Sequence, residues 1–317
     1  MEEPSQINPP EPIEQPIPAQ KRSAHWVFVG DGGIRAGWSA LIFIAILAAL
    51  ASITIFAFSF FLRSHPRPKG PMSPGLGLFQ EVLLFVVIFV ATVIMSRIEK
   101  RSIGRFGYSG QSKFARFCWG ILWGFIAISA LVGTLWKFHL LVFDGTSMRG
   151  IGAWEYAAAW ALAFFFVGLA EESLLRGYLQ YTLARGIGFW WAALLLSFSF
   201  GAMHGHNPGE SPIGLLSAGA VGLVFCLSLW YTGSLWWAIG FHAAWDWGQS
   251  YFYGTNDSGA AVAGHLISEH PTGSLLWSGG LTGPEGSLLI IPLLMVMAIA
   301  MWVWWGRRPA AWSVENS

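Results

Sequence analysis

The feature that most constrains this chain is a series of long apolar runs. Seven are clear, at roughly Ala36–Leu62, Leu76–Ser96, Phe117–Phe138, Trp154–Leu183, Ile213–Trp230, Leu235–Phe252 and Leu288–Trp305; an eighth, Phe189–Met203, is shorter but almost uninterrupted. A helix crosses the bilayer's hydrocarbon core of about 30 Å with about 20 apolar residues, and it closes its own backbone hydrogen bonds while doing so. The runs therefore predict an all-α polytopic bundle of about eight transmembrane helices over residues 36–306, with the lipid bilayer as its partner. Gly, Pro and Ser punctuate the joints, and no fixed-period repeat is visible. Only 11% of the residues are charged, where a soluble domain carries about 25%. The formal net charge of +1 leaves no basic surplus to neutralise phosphates, which argues against a nucleic-acid partner. Cys118 and Cys226 both lie in apolar runs and read as small packing residues, without a disulfide framework. Residues 1–35 are polar and rich in proline, which predicts a disordered tail; residues 307–317 form a short second tail.

Orientation follows from lysine and arginine. With the N-terminus in the cytoplasm, the inside segments carry twelve of these residues and the outside segments five, while the long loop at 253–286 carries none. Both termini are thus expected in the cytoplasm, of a bacterial inner membrane or of an intracellular membrane. The first loop is the exception, with Arg63, Arg67 and Lys69 on the outside.

Ionisable side chains inside a spanning helix are expensive and usually functional. Glu171, Glu172 and Arg176 fall in the fourth run, His204 and His206 at the end of the fifth in chain order, His242 and Asp246 in the seventh, and Glu81 alone in the second. At about 1.5 Å per residue, Glu171 lies about 20 Å, His204 about 22 Å, and His242 and Asp246 about 12 and 18 Å from the cytoplasmic ends of their helices. Acids and imidazoles from three helices thus converge in depth. Glu172 and Arg176 are four apart and face each other, as are His242 and Asp246. Glu171 points about 100° away from Glu172, so the two acids need not share a task. Glu171 with His204 forms a pair able to activate a water; His242 and Asp246 could then polarise a carbonyl or hold an oxyanion. The cofactor stays open: if a zinc ion is bound, Glu171, His204 and His242 are its ligands.

These three segments resemble the motifs of the CAAX protease and bacteriocin-processing family of intramembrane endopeptidases, also called the Abi family. Its EExxxR pattern reads here as Glu171, Glu172 and Arg176, its FxxxH as Phe200 and His204, and its HxxxN or HxxxD as His242 and Asp246. The resemblance covers roughly Trp154–Phe252, the expected catalytic core. It implies a membrane endopeptidase acting on prenylated or otherwise membrane-tethered peptides, in a cavity expected to open towards the cytoplasm. It also implies that Glu171 and the motif histidines are catalytic, and that Glu172 and Arg176 support them.

Each residue has a plainer reading as well. Glu172 and Arg176 can be a structural ion pair, and Glu171, His204 and His242 can be interhelical hydrogen-bonding glue. His206 reads as exposed, Phe200 as packing, and Glu81 as a headgroup-level acid. His265, Glu269 and His270 read as members of a solvated loop. Two other functions use the same residues: a proton relay in a proton-coupled transporter, and a catalytically inactive, family-related scaffold or immunity protein.

Overall fold

The computed structural model describes residues 25–30, 32–64, 70–307 and 310–312. All eight apolar runs are helical. They are α1 (Ala36–Ser64), α2 (Pro74–Glu99), α3 (Lys113–Lys137), α4 (Gly150–Glu172) continued through Ser173–Leu179 into α5 (Gln180–Ile187), α6 (Phe189–Met203), α7 (Pro212–Thr232), α8 (Trp236–Asp246) continued by Trp247–Phe252, and α9 (Ile290–Trp305). The protein is an all-α membrane helical bundle. By length and composition five helices among the described residues can cross a membrane: α1, α2, α3, the α4–α5 unit and α7. Large apolar side chains such as Ile53, Phe56, Phe198, Leu216 and Val296 stay exposed on the outside of the bundle, which in water would be an aggregating surface and in lipid is a solvated one.

Helix starts follow local chemistry. Ser73 before Pro74 accepts from the Leu76 amide at 3.4 Å, and Ser211 before Pro212 accepts from the Gly214 amide at 3.1 Å. Each serine caps an orphan N–H while the proline takes a position that needs none. Two helices change pitch where the sequence predicts straight runs: Ser173–Leu179 and Trp247–Phe252 are π-helical, and both begin directly after an intramembrane acid, Glu172 and Asp246. Wide turns of this kind concentrate at functional sites.

The helix carrying His242 is held by backbone contact. A Cβ on Gly120 would lie 2.2 Å from the Trp237 carbonyl, one on Gly124 2.2 Å from the Phe241 carbonyl, and one on Gly240 2.3 Å from the Phe117 carbonyl. The absence of side chains lets α3 and α8 touch, as small-xxx-small pairs do in lipid. Gly124→Ala should therefore destabilise the protein by about 1–3 kcal/mol, measured as a lower unfolding temperature in detergent; a wild-type melt would contradict this packing.

The two ends of the bundle differ. At one end Glu99 binds Arg185 at 3.2 Å and Arg101 at 3.7 Å, and Arg116 donates to the Thr232 carbonyl at 2.9 Å. Arg97 and Lys100 at the end of α2, Arg105 in the turn that follows, Lys113 at the start of α3 and Arg307 just past α9 lie at this end too. At the other end the 253–289 segment forms a cap. Its strand β2 (Ile267–Pro271) pairs antiparallel with β1 (Leu141–Thr146), a small sheet the apolar runs do not foretell. The cap is tied down by Asn207 donating to the Ser258 carbonyl at 2.8 Å, Trp160 to Ala263 at 3.1 Å and Gln249 to Asn256 at 2.7 Å.

The expected disordered tail divides in two. Residues 1–24 lie outside the described residues, whereas His25–Phe28 form a helical turn and Val29–Gly30 pair with Gly33–Ile34, joined to the bundle by Trp38 donating to the Val27 carbonyl at 3.0 Å. In the C-terminal tail Trp312 is buried against Tyr181 and Phe189. Arg67 and Lys69, the positive residues that weaken the first loop, also fall outside the described residues.

Candidate active site

A cavity of about 230 Å³ lies in the capped half of the bundle. Glu171 of α4, His204 just after α6, and His242 and Asp246 of α8 all line it. The depth convergence read from the sequence is thus a convergence in space.

The arrangement starts from a buried ion pair. Arg176 Nη1 lies 3.0 Å from Glu172 Oε1, with both side chains fully excluded from solvent. Phe200 and Phe225 stack on the guanidinium at 4.5 and 5.5 Å, so Phe200 packs, as the plain reading has it, and also shields a charge. Gly222 makes room for it: a Cβ there would sit 2.4 Å from Arg176 Nη2.

The same Glu172 oxygen also meets His242 Nδ1 at 3.2 Å. A carboxylate paired with arginine only accepts, so Nδ1 carries the proton and His242 donates to Glu172. Nε2 of His242 then faces the cavity, 3.6 Å from Glu171 Oε2 and 3.6 Å from Asp246 Oδ2. The roles of the acids are therefore less separate than their helical phase suggests. Glu172 touches the imidazole more closely than Asp246 does, and it holds the nitrogen away from the cavity. Glu171 pairs with His242, not with His204; it reaches the cavity with a side chain 22% exposed.

His204 is set by its own helix. Its Nδ1 donates to the Phe200 carbonyl, four residues back, at 2.8 Å, and the Phe200 ring lies edge-on at 4.8 Å. This leaves Nε2 of His204 free on a half-buried side chain lining the cavity. His206 is exposed, as its position past the helix end predicts. Among the described residues no group of three His, Cys, Asp or Glu side chains stands in a metal-holding arrangement. Glu171, His204 and His242 are in no such group.

The cavity also contains acids that the sequence reading sets aside or passes over. Glu81 lines it, seven residues after Pro74 and so about 10 Å along α2. Asp257 and Glu285 line it from the cap, with Asn207 and Ser258. Glu81 did carry a signal, since a lone carboxylate in an apolar helix is a functional candidate by its cost alone. Asp257 and Glu285 carried none, because a loop's path over a bundle is not written in its composition. Glu285 Oε1 accepts from the Ser258 amide and, at 2.7 Å, from its hydroxyl, and so pins the cap. Burial, with the nearby charges of Asp246 and Glu285, pushes the Asp257 carboxyl above the usual carboxylate range.

The loop histidines stand apart from the cavity. His270 bonds Asp144 across the small sheet at 2.9 Å, and this partner raises its pKa; His265 bonds Ser268 at 3.1 Å. Burial raises Glu269 to about 7.

No curated protein matches the chain. Residues 152–248, which hold all three motifs, match the family model described as Rce1-like, type II CAAX prenyl endopeptidase. The matched segment is about a third of the chain, and over it the chain is similar to the family that its three motifs resemble.

Proposed function

We propose that the chain is an intramembrane endopeptidase that hydrolyses membrane-tethered peptides, with Glu171 as the general base. The observation that carries this reading is the convergence of Glu171, His204, His242 and Asp246 from three helices on one cavity. Glu171 accepts a proton from water, whose oxygen adds to the scissile carbonyl carbon. The resulting oxyanion needs a donor, and His242, once protonated on both nitrogens, offers its Nε2–H to the cavity while Nδ1–H stays on Glu172. Asp246, four residues on, lies on the Nε2 side and tunes that nitrogen. As the carbon–nitrogen bond breaks, the proton passes to the leaving amine. His204, with a free Nε2 on the same cavity, is the second group able to relay it.

The test is hydrolysis of a lipidated peptide by the purified full-length protein in liposomes. Mass spectrometry should find two fragments whose masses sum to substrate plus one water. An intact substrate under all lipid and pH conditions would overturn the reading. Prenylated peptides are the first series to try, because the family description names prenyl endopeptidases.

A further inference from the structure

Five carboxylates line the cavity: Glu81, Glu171, Asp246, Asp257 and Glu285. Among its described lining residues there is no lysine or arginine, and the basic groups are the two imidazoles of His204 and His242. Arg176 is committed to Glu172. Hydrogen bonding leaves much of this acid uncompensated. Glu285 is held by Ser258, and Asp257 Oδ2 accepts from Ser250 at 3.1 Å. Asp246 is only 5% exposed, yet among the described residues its close partner is His242 Nε2 at 3.6 Å, beyond hydrogen-bond length. Glu81 makes no hydrogen bond to any described residue.

We propose that Glu81, Asp246 and Asp257 form an acidic subsite that takes a lysine, arginine or free amine of the substrate beside the scissile bond; this rests on reading the cavity as the peptidase site. Crowded carboxylates in a low-dielectric pocket are costly without a counter-charge, and an entering cation supplies it. The burial that raises the Asp257 carboxyl is the same cost seen from the unliganded side. A cleft of one sign also concentrates oppositely charged ligands. The walls suit the rest of such a side chain: Trp160, Phe164, Phe225 and Trp245 offer apolar surface to a methylene stem, while the acids meet its head.

The experiment compares lipidated peptides with lysine, norleucine or glutamate flanking the scissile bond, using full-length protein in liposomes. A second arm measures thermal unfolding with hexylammonium or hexanoate, and needs no turnover. The lysine peptide should exceed the glutamate peptide in kcat/KM by at least about ten-fold, and hexylammonium alone should raise the unfolding temperature. Both effects should shrink in Glu81→Gln and again in Glu81→Gln with Asp257→Asn. Cleavage without charge preference, together with equal melts in the two additives, would overturn the subsite and leave the peptidase reading standing. Stabilisation by hexylammonium that depends on Glu81, with no peptide ever cleaved, would support the subsite and overturn the peptidase reading.

Discussion

Glu171→Gln should lower peptide hydrolysis by two or more orders of magnitude while the unfolding temperature in detergent stays near that of the wild type. The size is that of a lost general base, since glutamine cannot take a proton from water. The expected stability follows from where the side chain sits. Glu171 is partly open to the cavity, its contact with His242 is 3.6 Å long, and the amide keeps its volume. His242→Ala should cost a similar factor in rate through loss of the oxyanion donor. Steady-state rates on a lipidated peptide, paired with melts of the same preparations, read both quantities. Turnover of Glu171→Gln at the wild-type rate would remove this residue from the chemistry.

Glu172→Gln should do something different: lower stability by about 3 kcal/mol and activity with it. One oxygen of Glu172 holds both Arg176 at 3.0 Å and His242 at 3.2 Å, and Arg176 is only 1% exposed. Removing the charge leaves a guanidinium buried between two phenyl rings with no counter-ion. It also removes the negative charge that holds the proton on His242 Nδ1. Replacing both partners, Glu172→Gln with Arg176→Met, should recover much of the stability, because the orphaned charge is gone. It should not recover the rate, since His242 still lacks its anionic acceptor. An unchanged melt in Glu172→Gln would show that the pair does not hold the helices, and recovered activity in the double variant would show that His242 needs no such partner.

The helices were legible because lipid demands long apolar runs. Phe189–Met203 has the very ends its composition suggests, and the others differ by a few residues at their caps. The site was legible because ionisable groups are so rare inside this bundle that each of them invites an explanation. What the sequence hid was three-dimensional in origin. Phase along a helix separates Glu171 from Glu172, yet a single imidazole on α8 reaches both, because Gly168 lets α4 and α8 approach: a Cβ there would lie 3.0 Å from the Ile239 carbonyl and 3.2 Å from His242 Cβ. That Glu81 faces the cavity is set by the neighbouring helices, which its own helix does not reveal. The two π-helical segments leave no trace in an apolar pattern, and the cap is built from contacts distant in sequence.

The cavity and the basic residues occupy opposite ends of the bundle. With Arg97, Arg101, Lys113 and Arg185 facing the cytoplasm, as the lysine and arginine bias expects, the cavity lies in the half of the bundle away from it. In that orientation the reactive groups exchange protons with the external medium. Acidifying the outside of a sealed vesicle would then change the rate, while acidifying its lumen would not. Such an enzyme would register the chemistry of the cell's surroundings and act only on segments that had already crossed the bilayer.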